Sequence, residues 1–162
     1  MNEIRDKIWY LLLDTKVNEC YSALIVKKYQ KLDLFTNVFL VVITSSSVAG
    51  WAIWNNIPTL WGALIAISQI ITIAKPYFLF PKYIKLFGKK NVLWQKNVLE
   101  LEELWYHCNS KTYDDDQLVN MYFKIRRNII SFDNVPDDII FFKHNKEHKR
   151  AEYLCNNYII KI

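Results

Sequence analysis

The sequence predicts an all-α membrane protein, with a two-helix transmembrane hairpin between an N-terminal helix and a C-terminal cytoplasmic helical domain. Residues 34–74 contain no Asp, Glu, Lys, Arg or His, lysines flank both ends of this run, and helical apolar spacing continues on either side. A helix needs about 20 apolar residues to cross the hydrocarbon core, so the run holds two spans and a short turn. A soluble domain this small would interrupt such a run with surface charges, which favours the membrane hairpin over a buried soluble hairpin.

The turn of the hairpin is predicted at residues 54–58, Trp-Asn-Asn-Ile-Pro, which is the only turn-like cluster in the run. Asn tolerates turn geometry, and Pro suits the first turn of a following helix because its missing N–H costs nothing there. The predicted hairpin region is therefore 34–80, with one span at about 34–54 and the other at about 57–77.

The lysines on both flanks of the run predict its orientation. They precede the first span and follow the second, whereas the turn carries no charge. Positively charged flanks remain in the cytoplasm, so we expect both termini there. The net charge of +5 is expected to attract anionic lipid head groups. We expect no direct nucleic-acid partner, because no recognisable nucleic-acid motif accompanies the basic residues.

The regions outside the hairpin are predicted to be helical. Residues 1–33 form a cytoplasmic amphipathic helix, and residues 81–162 form a cytoplasmic domain whose core is marginal alone, so we expect a homo-oligomer or a partner. The acidic run 114–116 predicts a helix start, since acidic side chains cap free N–H groups and suit the positive end of the helix dipole. The predicted helices of this domain lie at about 82–108, 115–130 and 139–158.

The first helix of the cytoplasmic domain has a heptad pattern, in which the residues at the a and d positions recur every three or four positions. The candidate seam residues are Asn91, Trp94, Val98, Leu101 and Trp105. One interpretation is a self-association helix in which the Asn sets the register. The other is a helix packed on the remaining cytoplasmic helices of its own chain, which the two large Trp side chains favour.

Polar side chains share one face of each predicted span. They are Asn37, Thr44 and Ser47 in the first span and Ser68 and Thr72 in the second. Hydroxyls are tolerated in lipid because they bond to their own helix, and they also let helices approach closely. Helix packing is the favoured interpretation. The alternative is that these faces line a narrow aqueous path in a multimer, poorly selective because no charged ring is present.

We expect no enzyme and no catalytic, cofactor-binding or metal-binding site. Residues 144–148 match H-x-x-E-H, an inverted zinc-protease pattern, but the surrounding lysines oppose a cation and no third ligand is identifiable. Cys20, Cys108 and Cys155 form no C-x-x-C pair and are expected to be reduced thiols. Three glycines in the whole chain leave little scope for a phosphate-binding loop.

The chain combines an N-terminal helix at 17–31, a charge-free hairpin at 34–74 with a very short turn, and a helical tail carrying Trp94 and Trp105. In this layout it resembles the SLATT family, the two-transmembrane effector domains associated with bacterial nucleotide-signalling and conflict systems. The resemblance covers nearly the whole chain and is one of architecture.

The resemblance implies an oligomeric effector of the bacterial inner membrane, which disrupts the membrane or forms a pore when triggered through its cytoplasmic helices. It implies a role in anti-phage defence by abortive infection. We expect the trigger to come from a separate sensor or inhibitor protein or from a nucleotide-signalling partner. Two other interpretations stay open: a non-conducting membrane anchor or scaffold that recruits a cytoplasmic partner, and a holin-like lysis protein.

Overall fold

The computed structural model describes residues 2–49, 58–110, 112–133 and 144–159, and every regular element in these ranges is helical. The predicted all-α fold is thus confirmed for this part of the chain. The α-helices are α1 (Asn2–Ala49), α2 (Pro58–Ala74), α3 (Phe80–Asn109), α4 (Asp115–Asp133) and α5 (Asn145–Ile159). A short 3-10 helix, Lys75–Tyr77, follows α2.

α1 continues without interruption from the predicted N-terminal helix into the first predicted span. Its threonine hydroxyls find partners inside the helix: Thr15, Thr36 and Thr44 each donate to the carbonyl four residues earlier, at 2.6, 2.8 and 2.8 Å. Such bonds satisfy a polar side chain within a helix, which explains how α1 carries these residues without a break. The predicted turn at 54–58 falls almost wholly outside the described residues, which resume at Pro58, the first residue of α2.

The chain divides into two compact units, which are described separately. We call Met1–Val26 with Lys85–Ile162 the core unit, and Lys27–Ile84 the apolar unit. The division falls inside α1 and inside α3, whereas the predicted domain limits lie at 33, just before the charge-free run, and at 80, six residues after its end.

The core unit is organised around one apolar cluster that α1, α3 and α4 build together. Leu101 and Leu104 of α3 are completely buried, as are Ile8 and Leu12 of α1. Full burial of one such side chain contributes about 1.5–3 kcal/mol, so this cluster is the main source of stability in the unit. The buried members are Ile8, Leu12, Val98, Leu101, Leu104, Leu118, Tyr122 and Ile125.

α4 begins with a reciprocal cap. Asp114 Oδ1 accepts a hydrogen bond from the Gln117 N–H at 2.7 Å, and Gln117 Oε1 accepts one from the Asp114 N–H at 3.2 Å. This is a capping box, in which two groups at the helix start satisfy each other. Asp115 and Asp116 occupy the first turn, at the positive end of the helix dipole. The prediction that the acidic run starts a helix is confirmed.

Stacked aromatic rings join α1 to the start of α3 inside the apolar unit. Tyr29 and Tyr83 lie with ring centroids 4.5 Å apart and planes inclined by 4°, and Phe80 adds a second ring at 5.8 Å from Tyr29. Tyr29 and Tyr83 are both buried. These three rings hold the lysine-flanked end of the unit together.

Candidate functional site

Within the described ranges, none of the helices taken singly is long and apolar enough to cross a membrane. One bent pair meets the criterion by length and composition, namely Gly62–Tyr77 followed by Phe80–Asn109, with an angle of 44° between them. Residues 50–57, which include the end of the first predicted span and most of the predicted turn, lie outside the described residues.

The apolar unit turns large apolar side chains outward. They are between 47 % and 73 % exposed, and they recur at helical spacing along one side of α1 and along α2. An apolar surface of this extent marks a site where a protein meets a membrane or another protein. We call these residues the outward apolar surface. They are Leu34, Phe35, Val38, Val41 and Val42 of α1 and Leu60, Ile67, Ile70 and Ile73 of α2.

The polar residues predicted for the spans find partners within their own helices. Thr72 Oγ1 donates to the Ser68 carbonyl at 2.8 Å, Ser68 Oγ donates to the Ile65 carbonyl at 2.8 Å, and Thr44 Oγ1 donates to the Leu40 carbonyl at 2.8 Å. Ser68 is buried, whereas Thr44 and Thr72 are exposed. A hydroxyl that donates to its own helix needs no water as a partner, so these bonds are compatible with a water-free environment.

Asn37 and Ser47 complete the set predicted for the spans. Asn37 Nδ2 donates to Asp33 Oδ2 at 3.1 Å, which ties the first polar residue of the run to the last charge before it. The side chain of Ser47 lies outside the described residues. The two assignments of the polar faces, to packing between helices and to a narrow aqueous path in a multimer, both stay predictions.

The seam predicted on α3 contacts other helices of the same chain. Asn91 Nδ2 donates to the Glu19 carbonyl at 2.9 Å and to Ser22 Oγ at 3.1 Å, both on α1. Val98 and Leu101 belong to the apolar cluster of the core unit. The polar seam residue therefore sets the register of α3 against α1.

The two seam tryptophans also have partners in the core unit. Trp94 packs edge-on against Phe132 of α4 with centroids 4.9 Å apart, and Trp105 packs against Trp9 of α1 at 4.8 Å. Arg5 lies over the Trp105 ring at 5.3 Å. Intrachain packing thus accounts for the seam contacts in this structure, and its assignment to self-association remains a prediction.

A group of partly buried polar side chains with one buried cysteine, which the sequence analysis did not identify, joins α5 to α1 and α3. The Lys16 Nζ lies 2.7 Å from Glu19 Oε2, and these side chains are only 18 % and 17 % exposed. The same Nζ lies 4.5 Å from the centre of the Tyr158 ring, and the Tyr158 hydroxyl donates to Glu102 Oε1. Cys155 Sγ lies 3.7 Å from the Leu13 carbonyl. We call this group the polar junction; its members are Lys16, Glu19, Glu102, Cys155 and Tyr158.

The surroundings of the polar junction favour the protonated forms of the Tyr158 phenol and the Cys155 thiol. Burial raises the pKa of the Tyr158 phenol, and the hydrogen bond to the Glu102 carboxylate raises it further, since ionised Tyr158 would face another negative charge. Burial likewise raises the pKa of the Cys155 thiol and of the nearby Cys20 thiol. At neutral pH these groups act as hydrogen-bond donors and packing groups, and neither thiol is activated as a nucleophile.

The H-x-x-E-H segment contributes contacts between helices. The His148 ring lies 5.7 Å from the Tyr21 ring of α1, and His148 Nδ1 lies 3.3 Å from Glu152 Oε1 one turn along α5. In the part of the chain that the structure describes, no three His, Cys, Asp or Glu residues converge to hold a metal ion.

Two features of the described residues therefore bear on function, the outward apolar surface and the polar junction. The first concerns the medium around the apolar unit, and the second concerns how α5 is held in the core unit. Comparisons with protein-family models, with curated proteins and with solved structures give no match to this chain.

Proposed function

We propose that this protein is an oligomeric effector of the bacterial inner membrane that disrupts the bilayer or forms a pore when triggered through its cytoplasmic helices. The observation that carries the proposal is the outward apolar surface within a run that contains no charged residue. Transfer of apolar surface out of water yields about 25 cal/mol per Å², so these side chains favour lipid strongly over solvent.

Three properties favour a bilayer over a protein partner. A protein interface of ordinary size has a polar rim, whereas residues 34–74 contain no charged side chain. The predicted spans have the length of a bilayer core. Exposed lysines lie on both sides of the run, as they do where a helix meets lipid head groups; they are Lys27, Lys31, Lys75 and Lys82.

The proposed assembly follows from the number of spans. Two helices alone cannot enclose water, so a pore or a lesion requires several copies. The exposed hydroxyls of Thr44 and Thr72 then face neighbouring spans or a narrow path. The layout shared with two-transmembrane effectors suggests the setting, abortive infection during phage attack, with a separate sensor, inhibitor or nucleotide signal as trigger.

A matched pair of lysine substitutions tests the membrane proposal. Ile70 in α2 and Leu99 in α3 have the same exposed fraction, 65 %, but Ile70 belongs to the apolar unit and Leu99 to the core unit. A charge at the centre of a bilayer costs about 2.5–3.5 kcal/mol, so Ile70→Lys should reduce the membrane-bound fraction while Leu99→Lys should not. Flotation with anionic vesicles measures this, and equal flotation of both variants would contradict the proposal.

Effector activity is tested in cells. The protein should depolarise the membrane and arrest growth when it is expressed together with the protein encoded next to it in its own genome. The variant Ile70→Lys should do neither. If the membrane potential and growth stay normal with and without that second protein, while the protein is abundant in the membrane, the effector proposal is wrong.

A second candidate is a non-conducting anchor that recruits a cytoplasmic partner. It is favoured by the exposed aromatic residues of the core unit, which has an apolar cluster of its own; these are Tyr10, Tyr106 and Tyr153. Replacement of residues 27–84 by an unrelated helical hairpin separates the two candidates. An anchor keeps its cellular activity after the exchange, whereas a pore-forming effector loses it.

A further inference from the structure

α5 is held in the core unit differently from α4. α4 places Leu118, Tyr122 and Ile125 in the apolar cluster, whereas no described residue of α5 belongs to that cluster. Among the side chains of α5 whose burial the structure describes, 145–158, the buried ones are Ala151 and Cys155, both of them small. Since stabilisation by apolar burial scales with the area removed from water, α5 gains far less from it than α4 does.

Several contacts of α5 with α1 and α3 are made by polar or aromatic groups. They are the hydrogen bond from Tyr158 to Glu102, the Lys16 ammonium over the Tyr158 ring, the Cys155 contact with the Leu13 carbonyl and the His148 contact with Tyr21. On separation, water replaces hydrogen bonds and exposed ion pairs, so contacts of this type break at lower cost than an apolar core. Local opening of a folded protein occurs first where buried apolar contact is sparse.

The contacts also give the direction of α5. His148 lies beside Tyr21 and Cys155 beside Leu13, so α5 runs antiparallel to α1 along the N-terminal part of that helix. Its far end reaches α3 through Tyr158 and Glu102. We call the surface of α1 and α3 under α5 the α5 seat. α5 therefore bridges two helices of the core unit at a polar site.

We propose that α5 is a reversible latch: docked on its seat it keeps the protein in a resting state, and its release permits the membrane activity. This inference rests on the proposed function. The Tyr158–Glu102 hydrogen bond is the closing contact, because it lies near the end of α5 and joins it to a second helix. Among the helices of the core unit, α5 is the one that can leave without opening the apolar cluster.

Hydrogen exchange on the full-length protein in detergent tests whether α5 detaches. Amides of α5 should exchange at least about tenfold faster than those of α4, and Tyr158→Phe should accelerate α5 by about a further tenfold, as loss of a hydrogen bond to a charged group predicts. Tyr153→Phe is the matched control, since Tyr153 is an exposed tyrosine of the same helix. Equal protection of α4 and α5, unchanged in Tyr158→Phe, would overturn the latch.

Cross-linking tests whether release matters for the membrane. Glu102→Cys with Tyr158→Cys, in a chain carrying Cys20→Ser, Cys108→Ser and Cys155→Ala, places two thiols across the contact for a short bis-maleimide. The cross-linked protein should release little dye from anionic vesicles, and the same protein blocked with N-ethylmaleimide should release much more. Equal leakage from both forms would overturn the latch as a regulator.

The two experiments distinguish failure of the latch from failure of the proposed function. If no variant or treatment permeabilises vesicles, the membrane function fails, and the exchange rates alone then decide the latch. Selective exchange of α5 still supports a detachable helix, whereas uniform exchange overturns it.

Discussion

The two units differ in how they place aliphatic side chains of α1. In the core unit Ile8 and Leu12 of α1 are completely buried, whereas in the apolar unit Val38 and Val41 of the same helix are exposed. One continuous helix thus follows two packing rules along its length. Hydrophobicity alone therefore does not determine which side chains are buried, and the exposed apolar side chains of the apolar unit are the physical basis of the membrane proposal.

Polar side chains of the two units give examples of two kinds of hydrogen bond, one across helices and one within a helix. In the core unit, Asn91 and Tyr158 bond to residues on other helices. In the apolar unit, Thr44 and Thr72 bond to carbonyls of their own helix. A bond across helices specifies register, and a bond within a helix satisfies the hydroxyl, so Asn91 and Tyr158 contribute to helix packing in a way that these intrahelical bonds of Thr44 and Thr72 do not.

The largest expected effect comes from truncating a buried side chain. Leu101→Ala should lower the free energy of unfolding by about 2–5 kcal/mol, because it leaves a cavity in the apolar cluster. Val41→Ala in the apolar unit should change it by less than about 0.5 kcal/mol, since this side chain is exposed. Denaturant titration in detergent, followed by tryptophan fluorescence, measures both. Equal losses of unfolding free energy in the two variants would contradict the difference in burial between Leu101 and Val41.

An intermediate effect is expected for the polar residues. Asn91→Ala should cost about 1–3 kcal/mol, because the Ser22 hydroxyl loses its donor and the Glu19 carbonyl loses one of its donors, keeping the bond from Ser22 Oγ. Thr72→Val keeps the shape and removes only an intrahelical bond, so a change within about 0.5 kcal/mol is expected. The same titration gives both values. A larger loss for Thr72→Val would show that this hydroxyl bonds across helices.

The smallest expected effect is a dependence on alkaline pH. The folded protein raises the pKa of Tyr158 above its ordinary value of 10.0. The folded state therefore holds this proton more tightly than the unfolded state, so the contribution of Tyr158 is complete below pH 10 and declines as the pH rises above it. Unfolding free energies should fall more steeply from pH 9 to pH 11 in the wild type than in Tyr158→Phe. Parallel curves would show that Tyr158 does not hold α5.

Sequence periodicity indicated the inward face of α3 but not what covers it. Val98 and Leu101 stand on the predicted seam and are buried, yet a heptad pattern is the same whether a second copy or another helix of the same chain fills the groove. The predicted helix at 139–158 overlaps α5, which is described from Asn145; residues 139–143 lie outside the described residues.

The contacts of the polar junction could not be predicted from the sequence. Lys16, Glu102 and Tyr158 are far apart in the chain, and single charged residues on helices are usually solvent-exposed. A partial signal was present in the spacing of Ala151, Cys155 and Tyr158, which lie on one face of α5. That spacing shows which side of α5 is covered, but a partner can be named only once α1 and α3 are in position.

The sequence by itself determined the helical class, the start of α4 and the charge-free run at 34–74, because these depend on neighbouring residues, on capping and on composition. Two features are visible in the tertiary structure alone: α1 and α4 cover the seam of α3, and α5 packs at the polar junction. Those outcomes depend on contacts between segments far apart in the chain, and the pattern of one helix contains no information about which other helix packs against it.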